Sequence, residues 1–275
     1  MKRWKIILAA AVLTIAAVGC SSEKDKEPVK KVADLKIEVD NQNDKEQEQE
    51  PESEQQEQEE PQEPQRKETV VLDPGHSGVV ASGTEPLGPG SSEYKAADTS
   101  GTSGRTSGLA EYELTLTVSQ KLSTELQNRG YKVLMTRTSN DVPMSCVQRA
   151  DVANNANADA FVRIHANGSE DSSAKGAMTI CITPNNPFYP GLYANGRALS
   201  DSIVNNLSAA TGCENDGVWE TDSMSGNNWS QVPSTIVEMG YMTNPQEDAL
   251  MATDDYQNKI VQGIANGIDQ YFGYR

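Results

Sequence analysis

From residue 69 onward, short apolar runs alternate with longer stretches of helical periodicity, and this alternation restricts the chain to a narrow class of folds. The runs TVVLD, YKVLMTR, ADAFVRIHAN, GAMTICITP and STIVEMG read as strands, being short and bounded by turn-forming residues. EYELTLTVSQKLSTELQNRG reads as a helix closed by Gly130. Further helices are expected at roughly residues 144–156 and 190–211, and over NPQEDALMA and DYQNKIVQGIANGIDQYF. Residues 82–107, rich in Gly, Ser and Thr, read as a long loop. Strands alternating with helices predict an α/β fold: a single open sheet, mixed but mainly parallel, flanked by helices.

In such sheets, ligands sit outside the carboxyl ends of the strands. Three of the expected strands end on chemically capable groups: TVVLDPGH delivers His76, FVRIHAN delivers His165 and STIVEMG delivers Glu238. The chain has two histidines, and both fall at such ends. Imidazole suits Zn2+, and a catalytic zinc takes three protein ligands and leaves one position open. His76 and His165 are candidates for two of them, and Glu111 for the third. Leu114, Val118, Leu122 and Leu126 mark one face of the first helix; at about 100° per residue Glu111 projects onto that face and Glu113 away from it. An acid on an apolar, sheet-facing stripe is costly unless paired or metal-bound.

Plainer readings stand beside these. A strand-end histidine can be structural, and Glu111 can be a first-turn acid favoured by the helix macrodipole. Glu238, in the apolar run IVEMGYM, reads as a general base whose pKa burial lifts toward the working pH. It also reads as the partner of a core arginine, Arg149 or Arg163. No HExxH motif is present. On the chemistry alone, an exported hydrolase using one zinc ion is one reading, and the structural ones stay open beside it.

Export is read from residues 1–20, MKRWKIILAAAVLTIAAVGC, which join a basic start, an apolar stretch and small residues before a cysteine. The ending AAVGC followed by SS resembles a bacterial lipobox, in which cleavage before Cys20 leaves a lipidated N-terminus. An ordinary cleaved signal and an uncleaved anchor are the alternatives. Residues 21–68 hold 17 acidic and 8 basic residues with almost no large apolar groups, and so read as a disordered acidic tether. Of the formal charge of −17, residues 69–275 carry −11, which argues against nucleic acid as a partner. That length suits one domain with a sizeable core. Cys20, Cys146, Cys181 and Cys213 form no CxxC, so a thiolate zinc site is not expected; a Cys181–Cys213 bridge and buried free thiols both remain open.

The motifs also stand in a familiar order. VVLDPGHSG, LAEYELTLTVSQKL, FVRIHANG and IVEMGYMTNPQE, with RGYKVLMTR and RADVANNANADAFV between them, closely resemble the blocks of the zinc-dependent N-acetylmuramoyl-L-alanine amidases, also called amidase type 3. The resemblance covers essentially residues 69–275. It implies a phosphorylase/hydrolase-like sheet, zinc ligands at His76, Glu111 and His165, and a catalytic glutamate at Glu238. The implied substrate is peptidoglycan, cut between N-acetylmuramic acid and L-alanine. With the leader, it implies a cell-wall-remodelling lipoprotein held by lipid on the outer membrane face, in a Gram-positive setting. A zinc peptidase acting on stem peptides and a non-catalytic wall-binding protein are the competing functions. Arg163 departs from the family's common serine, either lining the site or pointing to the other sheet face. Loop 82–107 is longer than in minimal members, and either lines the groove or is passive. Trp219 and Trp229 are candidates for stacking on substrate or for core packing.

Overall fold

The computed structural model describes residues 66–275. The expected leader, the lipidation site Cys20 and tether residues 21–65 lie outside the described residues. The elements are β1 (Thr69–Pro74), β2 (Thr84–Pro86), β3 (Tyr94–Ala96), α1 (Glu111–Asn128), β4 (Lys132–Met135), α2 (Cys146–Asn155) and β5 (Ala160–Asn167). They continue with β6 (Ala177–Cys181), α3 (Tyr193–Thr211), β7 (Asn215–Glu220), α4 (Ser225–Trp229), β8 (Ser234–Tyr241), α5 (Pro245–Met251) and α6 (Asp254–Tyr271).

Six strands form one sheet in the order β4-β1-β5-β8-β6-β7. All neighbours run parallel except β6 and β8, which are antiparallel, so the sheet is the expected mixed one. Every residue of β1 is buried because both sheet faces are covered, which is why its sequence is a continuous apolar run. Val70 and Leu72 enter the larger core with Leu114, Val118, Leu122 and Leu126 of α1 and with residues of α3 and α6. Val71 points the other way, onto Ala150 and Ala153 of α2 and onto Phe161. The α1 stripe is thus buried as its spacing requires, and Gly130 closes the helix at φ 92°.

The long loop holds structure of its own. Thr84–Pro86 and Tyr94–Ala96 pair as a small antiparallel ribbon. NDGVWE, which is not among the expected strands, forms the edge strand β7, and α4 follows it. Trp219 on β7 is 47% exposed. Trp229 is half-buried against the α2-side core, its Nε1 donating to the Pro86 carbonyl at 2.9 Å. Cys146, Cys181 and Cys213 are free thiols. Arg66, ahead of β1, lies over the rings of Tyr131 and Tyr274 and pairs with Asp269. Among the described residues, no helix is long and apolar enough to cross a membrane.

Candidate metal and catalytic site

β1, β5 and β8 lie side by side, and the groups at their carboxyl ends meet. His76 sits on the turn after β1, His165 near the end of β5, and Glu111 is the first residue of α1. Glu111 Oε1 is 3.2 Å from His76 Nε2 and 3.1 Å from His165 Nδ1. The imidazole rings stand edge to face with centroids 4.8 Å apart. Glu111 is only 4% exposed, and its oxygens also accept the backbone N–H groups of Ala166 at 3.2 Å and Thr102 at 2.9 Å. The ordinary N-terminal task on α1 falls instead to Glu113, whose Oε2 accepts the Ala110 N–H at 3.1 Å.

The donor set fits zinc. Donors around a tetrahedral zinc with bonds of about 2.0–2.1 Å stand about 3.3 Å apart, close to the spacings above. His76 Nδ1 lies 2.8 Å from the Thr99 carbonyl. It therefore carries the proton and donates, which leaves the Nε2 lone pair facing the cluster, as in metal-bound histidines. His165 Nε2 is buried with no hydrogen-bond partner. Among the described residues the group has three members, the number of protein ligands a catalytic zinc takes.

The backbone is shaped to bring these groups so close. His76 adopts φ 59°, a left-handed conformation that costs a non-glycine residue about 1–2 kcal/mol. Two arginines hold the turn in that state. Arg149 donates to the carbonyls of Pro74 and His76, each at 2.8 Å. Arg137 donates to those of Pro74 at 3.0 Å and Gly75 at 2.9 Å. A Cβ on Gly75 would lie 2.6 Å from both ring nitrogens of His165. One on Gly101, at φ 73°, would lie 2.6 Å from Glu111 Oε2. Arg137, Gly75, Gly101 and Thr99 were not recognised from the sequence, because a strand-end arginine and loop glycines carry no mark of what they approach.

Glu238 pairs with neither candidate arginine. Arg149 and Arg163 both bind Asp73, at 2.8 Å and 3.0 Å. Burial would raise the Asp73 pKa, but the two guanidinium charges hold it well below the usual carboxylate range. Glu238 instead stands beside His165 in the β5–β8 register, and its Oε2 is buried without a partner. Burial first, and the Glu111 charge second, push its pKa up to about 8. In the cluster, burial is the largest single influence on His76 and disfavours its charged ring, but the hydrogen bond and charge of Glu111, the Thr99 carbonyl and the Asp98 charge together outweigh it and raise the pKa. Burial lowers that of His165, and Glu111 only partly offsets it. Burial would raise the Glu111 pKa; hydrogen bonds from His165 and His76 bring it below the usual range.

Two cavities, of about 280 and 510 Å³, meet at this site, and His76, Thr99, His165 and Glu238 line both. The end of the long loop walls them, with Lys95, Ala96 and Asp98 on the smaller and Gly101 and Thr102 on the larger. Arg163 shares its sheet face with His165 and lines the smaller cavity, so it does not point to the far side.

A family profile described as N-acetylmuramoyl-L-alanine amidase matches residues 70–270. The chain is 29% identical over 211 residues to the N-acetylmuramoyl-L-alanine amidase LytC of Bacillus subtilis, covering 74% of this chain but only 36% of that protein. It is 30% identical over 204 residues to the N-acetylmuramoyl-L-alanine amidase Rv3717 of Mycobacterium tuberculosis, covering 71% of this chain and 84% of that one. The crystal structure of an N-acetylmuramyl-L-alanine amidase from Mycobacterium smegmatis superposes with a TM-score of 0.69 at 25% identity, over 76% of this chain and 98% of that one.

Proposed function

Because the chain belongs to the N-acetylmuramoyl-L-alanine amidase family, we propose that it hydrolyses the peptidoglycan amide joining N-acetylmuramic acid to L-alanine, with Glu238 as general base and a zinc ion on His76, Glu111 and His165. One observation carries this reading: the Glu238 carboxyl lies unpaired beside His165, with its pKa near 8, at the edge of a His-Glu-His cluster. A zinc ion bound there supplies Lewis-acid chemistry, polarising the scissile carbonyl and acidifying water. In the metal-free protein Glu238 holds its proton up to about pH 8. The positive charge of a zinc ion bound beside it would favour the carboxylate, the form that takes the proton of the attacking water and delivers it to the leaving nitrogen of L-alanine. Glu111 is held ionised by the two imidazoles and two backbone N–H groups, so it enters the reaction as a fixed negative charge. Thr99, Arg137 and Arg149 orient His76 and take no proton.

The leader ending at Cys20 suits export and lipid anchoring, and the acidic segment after it suits a spacer between membrane and wall. Peptidoglycan is then the polymer within reach of the anchored enzyme. The bond cut is tested by digesting purified peptidoglycan with the full-length protein and sequencing the fragments by mass spectrometry. Stem peptides with free L-alanine amino termini support the amidase; cuts inside the peptide show a peptidase instead.

A further inference from the structure

Arg163 has more hydrogen-bonding capacity than the fold uses. Its Nε lies 3.0 Å from Asp73 Oδ2, but Nη1 is 3.5 Å from Asn227 Oδ1 and Nη2 is 3.9 Å from Cys146 Sγ. The last two are at or beyond the outer limit for a hydrogen bond. A guanidinium presents five N–H groups in a rigid fork, and this one lines the 280 Å³ cavity beside Glu238 and His165. The neighbouring wall is cut back to admit it: a Cβ on Gly226 would lie 2.8 Å from Nη2.

Among the described residues, the fork itself pairs with one carboxylate. Asp73 is a single carboxylate shared by Arg149 and Arg163. Lys95, whose Nζ donates to the Ser223 carbonyl at 2.7 Å, adds a cation to the same wall. The acids on this cavity are Asp98, set 3.9 Å from Arg149 and 3.8 Å from His76, and Glu238. Neither forms an ion pair with Arg163 or Lys95. The 510 Å³ cavity on the other side of the cluster presents mainly neutral groups, among them Asn167, Ser169 and Thr243, with Glu170 as an additional acid.

We infer that the smaller cavity receives the peptide side of the substrate, and that the Arg163 fork binds a free carboxylate on the residue following L-alanine. The inference rests on the amidase reading and adds a specificity to it. A planar fork matches a carboxylate two bonds at a time, and a sugar hydroxyl gains far less from it. The larger, mainly neutral cavity is left for the muramic acid side. Hydrogen bonds to a charged group discriminate about ten- to a hundred-fold against a neutral isostere.

The test uses the full-length protein and two soluble muropeptides that differ only in a free carboxylate or a carboxamide on the residue after L-alanine. The native protein should favour the carboxylate form about ten-fold or more in kcat/KM, with the difference in KM. Arg163→Met should bring the ratio close to one. Because that change also breaks the pair with Asp73, Asn227→Asp is the second variant: it keeps Arg163 and its pair, and sets a fixed carboxylate against Nη1. It too should abolish the preference, and it decides the matter if Arg163→Met does not fold. Equal cleavage of both substrates by the native protein, or a preference that survives in Asn227→Asp, overturns the inference and leaves the amidase standing. Cleavage of neither substrate overturns the amidase reading, and the inference with it.

Discussion

His165 and Glu238 face each other in register across β5 and β8, and each buries one polar atom without a partner, Nε2 on the imidazole and Oε2 on the carboxyl. Two adjacent unsatisfied groups in a cleft cost stability, and a fold retains them where chemistry needs them. Parallel pairing at neighbouring strand ends is what brings them together, so the site follows from the topology of the sheet.

The first expectation concerns what Glu238 costs the metal-free protein. The folded chain keeps the Glu238 proton up to about pH 8, whereas the unfolded chain releases it near about pH 4.3. Stability therefore falls as pH rises between those values and then levels off. Glu238→Gln has no proton to lose. In chelator, its melting temperature should equal that of the native protein near pH 4 and exceed it by several degrees at pH 8. Parallel curves for the two proteins would show that Glu238 is not held protonated.

Asp73 behaves in the opposite sense. Its pKa is depressed by Arg149 and Arg163, so its contribution is complete above about pH 4 and is lost as pH falls further. Asp73→Asn leaves two buried guanidinium groups without their carboxylate, at a cost of about 3–5 kcal/mol at pH 7. Urea unfolding should show that gap at pH 7 and a gap that shrinks progressively as pH falls below about 4. A gap independent of pH would place the loss in packing rather than charge.

Close approach sets a third expectation. Gly75→Ala forces a methyl group against the His165 ring, and Gly101→Ala forces one against Glu111 and His76. Each should weaken zinc binding at least about ten-fold, the scale on which mis-set ligands usually act. Gly83→Ala is the control: φ is 92° there, but a Cβ would touch nothing within 4 Å. It should cost stability without changing zinc affinity. Equal zinc affinity in all three variants would remove the packing argument.

Much of this was legible in the sequence, for identifiable reasons. His76 and His165 were readable because they close apolar runs, and Glu238 because it interrupts one, where a polar group stands out. Glu111 was readable because helical spacing sets it on the Leu114–Leu126 stripe. β7 was missed because NDGVWE buries little and contains Asp and Gly, leaving no periodicity to read. β2 and β3 were missed because three-residue strands inside a Gly-rich loop give no pattern at all. Arg149 was weighed as a partner for Glu238, yet it binds Asp73 and the turn carbonyls. Pairing across the sheet depends on strand order, which one sequence does not display.

The most direct measurement is the hydrolysis rate of full-length Glu238→Gln loaded with zinc, with bound metal and peptidoglycan turnover read on the same sample. The expected result is one zinc per chain, as in the native protein, and turnover reduced by about a hundred-fold or more, the scale of a lost general base. Native-like turnover with zinc bound would remove Glu238 from the chemistry. Failure of the native protein to bind zinc at all would remove the His76, Glu111 and His165 site.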